Sequence, residues 1–249
     1  MSATDDLRAL VAQSCRVLGR LDLTNAATGH VSARIPGQDR VLIRARGPDE
    51  TGVRYTTSEE IVETDFDGKL IDRSRPGLAV PNEIFIHTEI YKSRPEINAV
   101  VHIHPPMVVL FTICDRPLLP FYGAFDPPSA LLAIEGIPTY QRSITITTPA
   151  LGQDLVKTMD GATVCMMRGH GITAAGPSIE TASLKAIQLN ELALMNYRAQ
   201  LLGDPSPIAA EDQAALRSRG TARPPGSAGD GAQKYVMSAW RYYCALTDS

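Results

Sequence analysis

Val100-Val101-His102-Ile103-His104-Pro105-Pro106 is the most constraining segment of this chain. Two histidines stand one residue apart at the end of an apolar run from Ile97 to Ile103, and such a short run predicts a buried strand. Side chains i and i+2 of a strand share a face, roughly 7 Å apart along it, so His102 and His104 project together and can reach one metal ion. Pro105 and Pro106 stop the strand, which puts the pair at its C-terminal mouth, where α/β sheets carry ligands.

The chain has five histidines: His30, His87, His102, His104 and His170. His170 lies in Arg168-Gly169-His170-Gly171, directly after the apolar run 162–167, so a second strand end delivers an imidazole. Three histidines from two strand ends, with one carboxylate, would make an open catalytic metal site. The plainer alternative is two buried histidines and a turn histidine with no common ligand.

At 249 residues with 44% hydrophobic content, the chain predicts one globular domain with an appendage. A net charge of −3 gives no electrostatic case for nucleic acid or an anionic membrane. No apolar stretch approaches transmembrane length, no secretory signal is read at the N-terminus, and four scattered cysteines without a CxxC suit a cytoplasmic protein. A first helix, capped by Thr4 or Asp5, is followed by a glycine turn into a strand at 28–35, a return strand at 41–44, a short capped helix at 58–61, and a hairpin about Asp67-Gly68. A helix is expected over 81–93 and another over 106–113. Further on come a short helix at 129–134, a β-branched strand at 144–148, a helix from Thr148 to Met159, and a long helix from Pro177 to about Leu202. The domain is thus expected over 1–202, with a Pro/Gly/Ser-rich linker at 203–233 and a docking helix at 234–249 that holds Tyr235 and the only tryptophan.

Thr28-Gly29-His30-Val31-Ser32, Pro81-Asn82-Glu83, His102-Ile103-His104 and Arg168-Gly169-His170-Gly171 resemble, in order and spacing, the motifs of the class II aldolase/adducin family, over roughly residues 5 to 202. The resemblance implies a three-layer α/β/α sandwich with a central, largely antiparallel sheet, assembled as a homotetramer with sites at subunit interfaces. It implies that His102, His104 and His170 bind a divalent metal (zinc, manganese or iron(II)), with Glu83 as acid/base group and ligand of the empty site. His87, four residues after Glu83 on the same helical face, reads as packing or as a group behind the ligands.

The departures from the family's sugar-phosphate pattern carry the functional expectation. Gly29 is followed by His30 rather than Asn, Pro81-Asn82 replace a pair of serines, and Arg44-Ala45-Arg46-Gly47 replace a Thr-Gly pair. Pro81 has no N–H and neither residue of its pair has a hydroxyl, so phosphate donors are missing. Arg44 and Arg46 alternate onto one strand face and suit a planar carboxylate, although they also read as surface arginines. His30 can exchange a proton near neutral pH or simply stabilise its turn. The pattern resembles the family's aromatic decarboxylases. A metal-dependent carbon–carbon lyase acting on an ortho-hydroxy aromatic dicarboxylate such as 3,4-dihydroxyphthalate is expected, with Glu83 or His30 delivering the proton. Arg44, Arg46, Gly29 and Tyr122 are expected to bind substrate, Tyr122 from the same or a neighbouring chain. An aldolase acting through a metal enediolate and a non-catalytic adducin-like module are the alternatives.

Overall fold

The computed structural model describes residues 2–71, 75–221 and 228–247. Their strands form one seven-stranded sheet in the order β3-β2-β1-β4-β7-β6-β5, antiparallel throughout except between β5 and β6. In chain order the strands are β1 (His30–Arg34), β2 (Arg40–Arg44), β3 (Ile61–Asp65), β4 (Ala99–Ile103), β5 (Thr139–Tyr140), β6 (Val164–Met167) and β7 (Gly171–Gly176). The helices are α1 (Ala3–Arg20), α2 (Ile84–Ser93), α3 (Pro106–Ile113), α4 (Pro127–Glu135), α5 (Pro149–Met159), α6 (Ile179–Leu202), α7 (Ala210–Thr221) and α8 (Ala228–Ala245).

The strand period of two separates the layers. Val31, Ala33, Val101, Ile103, Ile172 and Ala174 face the larger core, filled by α1, α3, α6 and α8. Val41, Val100, Cys165, Met167 and Ala175 face the other way, against Ile86, Ile90 and Tyr91 of α2 and Leu155 and Met159 of α5. The result is the α/β/α sandwich. His102, in phase with Val100, points into the thinner α2/α5 layer.

Several elements differ from expectation. Ser2, rather than Thr4 or Asp5, caps α1 through a reciprocal box with Asp5. Residues 144–148 form no strand; the run of Thr and Ile is an extended loop, because its Ile146 N–H is turned to a side chain instead of a neighbouring strand. Within the stretch expected as linker, 210–221 is helical. It is held by Arg217 donating to the Ile134 carbonyl, while just before it Ile208 N–H donates to Pro120 O. Residues 222–227 of that stretch, and 248–249 of the tail, lie outside the described residues. The tail helix α8 starts at Ala228, earlier than expected, and packs Trp240 into the larger core at 4% exposure. Burying a side chain of that size is worth roughly 2–3 kcal/mol.

Candidate metal centre

Three antiparallel strands and one helix bring the polar groups together. β1 pairs with β4 so that His30 lies opposite His102, and β4 pairs with β7 so that Ile103 lies opposite Ile172. The turn between β6 and β7 therefore presents His170 beside the end of β4. Close approach dictates the glycine after it: a Cβ on Gly171 would fall 2.4 Å from the Ile103 carbonyl oxygen and 2.7 Å from the His104 ring. Helix α2 enters from the other side with Glu83 as its N-cap.

His102 Nδ1 lies 2.9 Å from the Ile172 carbonyl oxygen. A carbonyl only accepts, so Nδ1 carries the proton and Nε2 presents a lone pair. That Nε2 faces His104 Nε2 at 3.0 Å and Glu83 Oε2 at 3.4 Å, while His170 Nε2 lies 3.3 Å from the same carboxylate oxygen. One ligand atom from each of Glu83, His102, His104 and His170 falls within 4.8 Å of all the others. The other Glu83 oxygen accepts the Ile146 N–H at 2.9 Å, which aims the carboxylate. The loop at 144–148, unremarkable in the sequence, thus orients the acid.

The donor set fits a divalent cation. Imidazole nitrogens packed this closely around a carboxylate need either shared protons or a metal between them, and three nitrogens with an oxygen suit zinc and its neighbours. The backbone carbonyl behind His102 is the outer partner that ligating histidines use to fix their tautomer. Burial drives the His104 imidazole down to about 3, with His102 and His170 adding repulsion. Burial opposes ionisation of Glu83, but the His102 and His170 rings beside it outweigh that and hold the carboxyl well below the usual range. His102 and His104, both lowered by burial, beside an ionised Glu83 match the protonation state a metal requires.

His30 is 5% exposed and lies behind this cluster, its ring centroid 5.1 Å from that of His102. Its Nδ1 is 2.7 Å from His87 Nε2. Burial, with His87 and His102 alongside, depresses its pKa well below the ordinary histidine value.

Two of the expected substrate groups are placed elsewhere. Arg44 is fully buried, and its guanidinium donates to Thr56 Oγ1, to the Ala27 and Gly29 carbonyls and to Glu50, so no edge is left for a substrate. Tyr122 lies on the α6/α8 side of the sheet, opposite to His102, against Phe125 and at a cavity of about 390 Å³ that Tyr235 also lines. Neither tyrosine lines the histidine cluster of its own chain. Arg46 shares Glu50 with Arg44 and donates to Ala27 O, but its side chain is 45% exposed. Gly29 adopts φ +86°, and a Cβ there would press on Thr24 and on the His102 carbonyl, so its evident task is to let the turn run close to β4.

A family model for the class II aldolase and adducin N-terminal domain matches residues 9–197. The chain is 39% identical over 215 residues to a 3,4-dihydroxyphthalate decarboxylase of Terrabacter sp. (strain DBF63), covering 86% of this chain and 90% of that one. It is 38% identical over 198 residues to a 3,4-dihydroxyphthalate decarboxylase of Arthrobacter keyseri, covering 79% of each. In fold it resembles an aldolase II superfamily protein from Pseudomonas syringae, with a TM-score of 0.79 at 22% identity over 99% of this chain and 97% of that one. No helix among the described residues is long and apolar enough to cross a membrane.

Proposed function

The chain belongs to the class II aldolase and adducin family, and on that premise we propose that it is a metal-dependent carboxy-lyase that decarboxylates an ortho-hydroxy aromatic dicarboxylate of the 3,4-dihydroxyphthalate type. The observation that carries this reading is the intact cluster of Glu83, His102, His104 and His170 in a chain 38–39% identical to enzymes named for that substrate.

In this reading His102, His104 and His170 hold a divalent ion, drawn from zinc, manganese or iron(II). When bound, that ion supplies Lewis-acid polarisation of the substrate's ring hydroxyl and adjacent carboxylate. Glu83 starts the cycle ionised and is held in position by the Ile146 N–H. It accepts the ring hydroxyl proton and returns it to the ring carbon that bears the carboxylate. The bond to the carboxylate then breaks, CO₂ leaves, and the released electron pair restores the aromatic ring with a phenolate that regains a proton from solvent. Arg46 is the remaining guanidinium for the second carboxylate. Arg44, Arg46 and Glu50 together carry one excess positive charge, and the 27–29 turn that both arginines hold leads directly into His30. Pro81 and Asn82 supply no hydroxyl beside Glu83, which favours a dicarboxylate over a sugar phosphate. Assembly as a homotetramer is part of the proposal, and light scattering tests it.

The decisive experiment is CO₂ release from 3,4-dihydroxyphthalate by the metal-reconstituted protein, with His102→Ala as control. Release that vanishes in the variant supports the reading. A metal-loaded protein that releases no CO₂ from this compound overturns the choice of substrate and redirects the search to aldol cleavage.

A further inference from the structure

Behind the metal-ligand cluster, four polar side chains form a line through the α2/α5 layer. Tyr91 OH lies 2.8 Å from Ser32 Oγ, Ser32 Oγ lies 2.6 Å from His87 Nδ1, and His87 Nε2 lies 2.7 Å from His30 Nδ1. Ser32 and His87 are fully buried, Tyr91 is 1% exposed and His30 5%. The line arises from two simple periods. His30 and Ser32 are i and i+2 on β1, and Glu83, His87 and Tyr91 are i, i+4 and i+8 on α2, so one strand face meets one helix face.

We propose that this line conducts in one direction, from Tyr91 through Ser32 and His87, and fixes His30 as the tautomer protonated at Nε2, so that His30 offers a hydrogen-bond donor to an oxyanion of the substrate. The direction follows from the blind end. A buried phenol hydrogen needs an acceptor, and the one hydrogen-bond partner of Tyr91 OH among the described residues is Ser32 Oγ. Once Tyr91 donates to Ser32, the serine hydrogen is directed to His87 Nδ1. His87 is then protonated at Nε2 and donates to His30 Nδ1, and the His30 proton sits on Nε2. The reverse order strands the Tyr91 hydrogen in the core, at a cost of about 1–3 kcal/mol. A doubly protonated His87 would still donate to His30 Nδ1 and leave His30 in the same tautomer.

The far end of the line is open. His30 Nε2 makes no hydrogen bond among the described residues, and it is absent from the polar atoms that are sealed from solvent without a partner. With its ring tilted against that of His102 at a centroid distance of 5.1 Å, His30 stands beside the cluster and presents an N–H rather than a lone pair. It is therefore a donor to a carboxylate or phenolate oxygen and not the base that removes a ring proton, which leaves Glu83 as the group that exchanges protons. Ser32, His87 and Tyr91 are positioning residues that act through His30. The identity of the acceptor rests on the decarboxylase reading; the tautomer does not.

The test is nuclear magnetic resonance on zinc-loaded protein with ¹⁵N in the histidine rings, where five histidines give five resolvable ring patterns. At neutral pH, His30 and His87 are both expected to show a protonated Nε2 and a bare Nδ1. Adding phthalate, a dicarboxylate without the reactive hydroxyls, should shift the His30 Nε2–H signal. Tyr91→Phe removes the hydrogen that sets the direction with little change of shape. Both rings should then become tautomer mixtures, and KM for 3,4-dihydroxyphthalate should rise roughly fivefold, about one hydrogen bond, with a smaller change in kcat. A purely structural role for Tyr91 would lower the melting temperature and leave the tautomer alone. A protonated Nδ1 on wild-type His30, an unchanged tautomer in Tyr91→Phe, or a His30 signal indifferent to phthalate would each overturn the proposal. None of these ring signals depends on turnover, so they stand apart from any failure to release CO₂.

Discussion

The five histidines of this chain occupy one patch of the thinner layer but form two groups of opposite character. His102, His104 and His170 converge: their nitrogens and one Glu83 oxygen lie within 4.8 Å of one another. His30 and His87 instead extend a line in which each short contact has a donor and an acceptor available, ending on Ser32 and Tyr91. The first group offers its lone pairs to one shared point, and the second is satisfied by its own protons. Both groups use the same local spacings, a pair at i and i+2 on a strand and a helix partner. The difference lies in the opposite ring nitrogen: His102 Nδ1 is tied to a carbonyl, which frees Nε2, whereas both nitrogens of His87 are bound to other side chains.

The largest effect is expected where the convergent group loses a member. In His102→Ala, elemental analysis of purified protein should find the metal gone and CO₂ release at background, well beyond the 10–100-fold that loss of a supporting group brings. In His87→Gln the metal should stay. Stoichiometric metal in His102→Ala, or its loss in His87→Gln, would erase the distinction between the groups. Next comes Glu83→Gln, which keeps the shape and the Ile146 hydrogen bond but cannot take up a proton. Its kcat should fall about a hundredfold with metal content unchanged, as for removal of a general acid–base group. A kcat near wild type would take the proton transfer away from Glu83.

A smaller effect reads stability. A cation bound only by the folded chain stabilises it by about 2.7 kcal/mol at a hundredfold excess over its dissociation constant. Urea unfolding with and without zinc should show this gain in wild type and in Ser32→Ala, and not in His102→Ala.

The convergent group was legible in the sequence because each part is local. His-x-His at a strand end, Gly-His-Gly after an apolar run, and Glu at the start of a helix each carry their geometry in a few residues, and the sheet had only to bring them together. What failed to show was set by distant partners. Arg44 reads like a substrate arginine until Glu50, Thr56 and two carbonyls are seen around a fully buried guanidinium. The Thr and Ile of 144–148 have strand composition, but their backbone serves Glu83, a partner 63 residues away. Alanines and charges at 210–221 give little apolar stripe, and tertiary contacts such as Arg217 with Ile134 make the helix worthwhile. Ser32 and Tyr91 passed unnoticed as members of a line. The signal that was present was a polar residue at every fourth position, Glu83, His87 and Tyr91, on the face of α2 whose neighbours Ile86 and Ile90 are buried.

The smallest effect concerns acid, and it isolates the complete group. Burial, with repulsion from His102, drives His87 down to about 3 against an ordinary value of 6.5. The unfolded chain then binds a proton that the folded chain refuses, so this histidine's contribution is fully present above about pH 6.5. It is lost as pH falls from there toward 3, with a limiting slope of about 1.4 kcal/mol per pH unit. Urea unfolding of metal-free protein at pH 7 and pH 5 measures the summed slope of the buried histidines, and the part lost in His87→Gln, which does not titrate, belongs to His87. In the metal-ligand cluster protons also compete with the cation, so its acid sensitivity grows with the metal supplied, whereas that of His87 is the same with none. Equal slopes in wild type and His87→Gln would mean that His87 is already protonated in the fold, and the line to His30 would then be held by a charge instead of by the Tyr91 hydrogen.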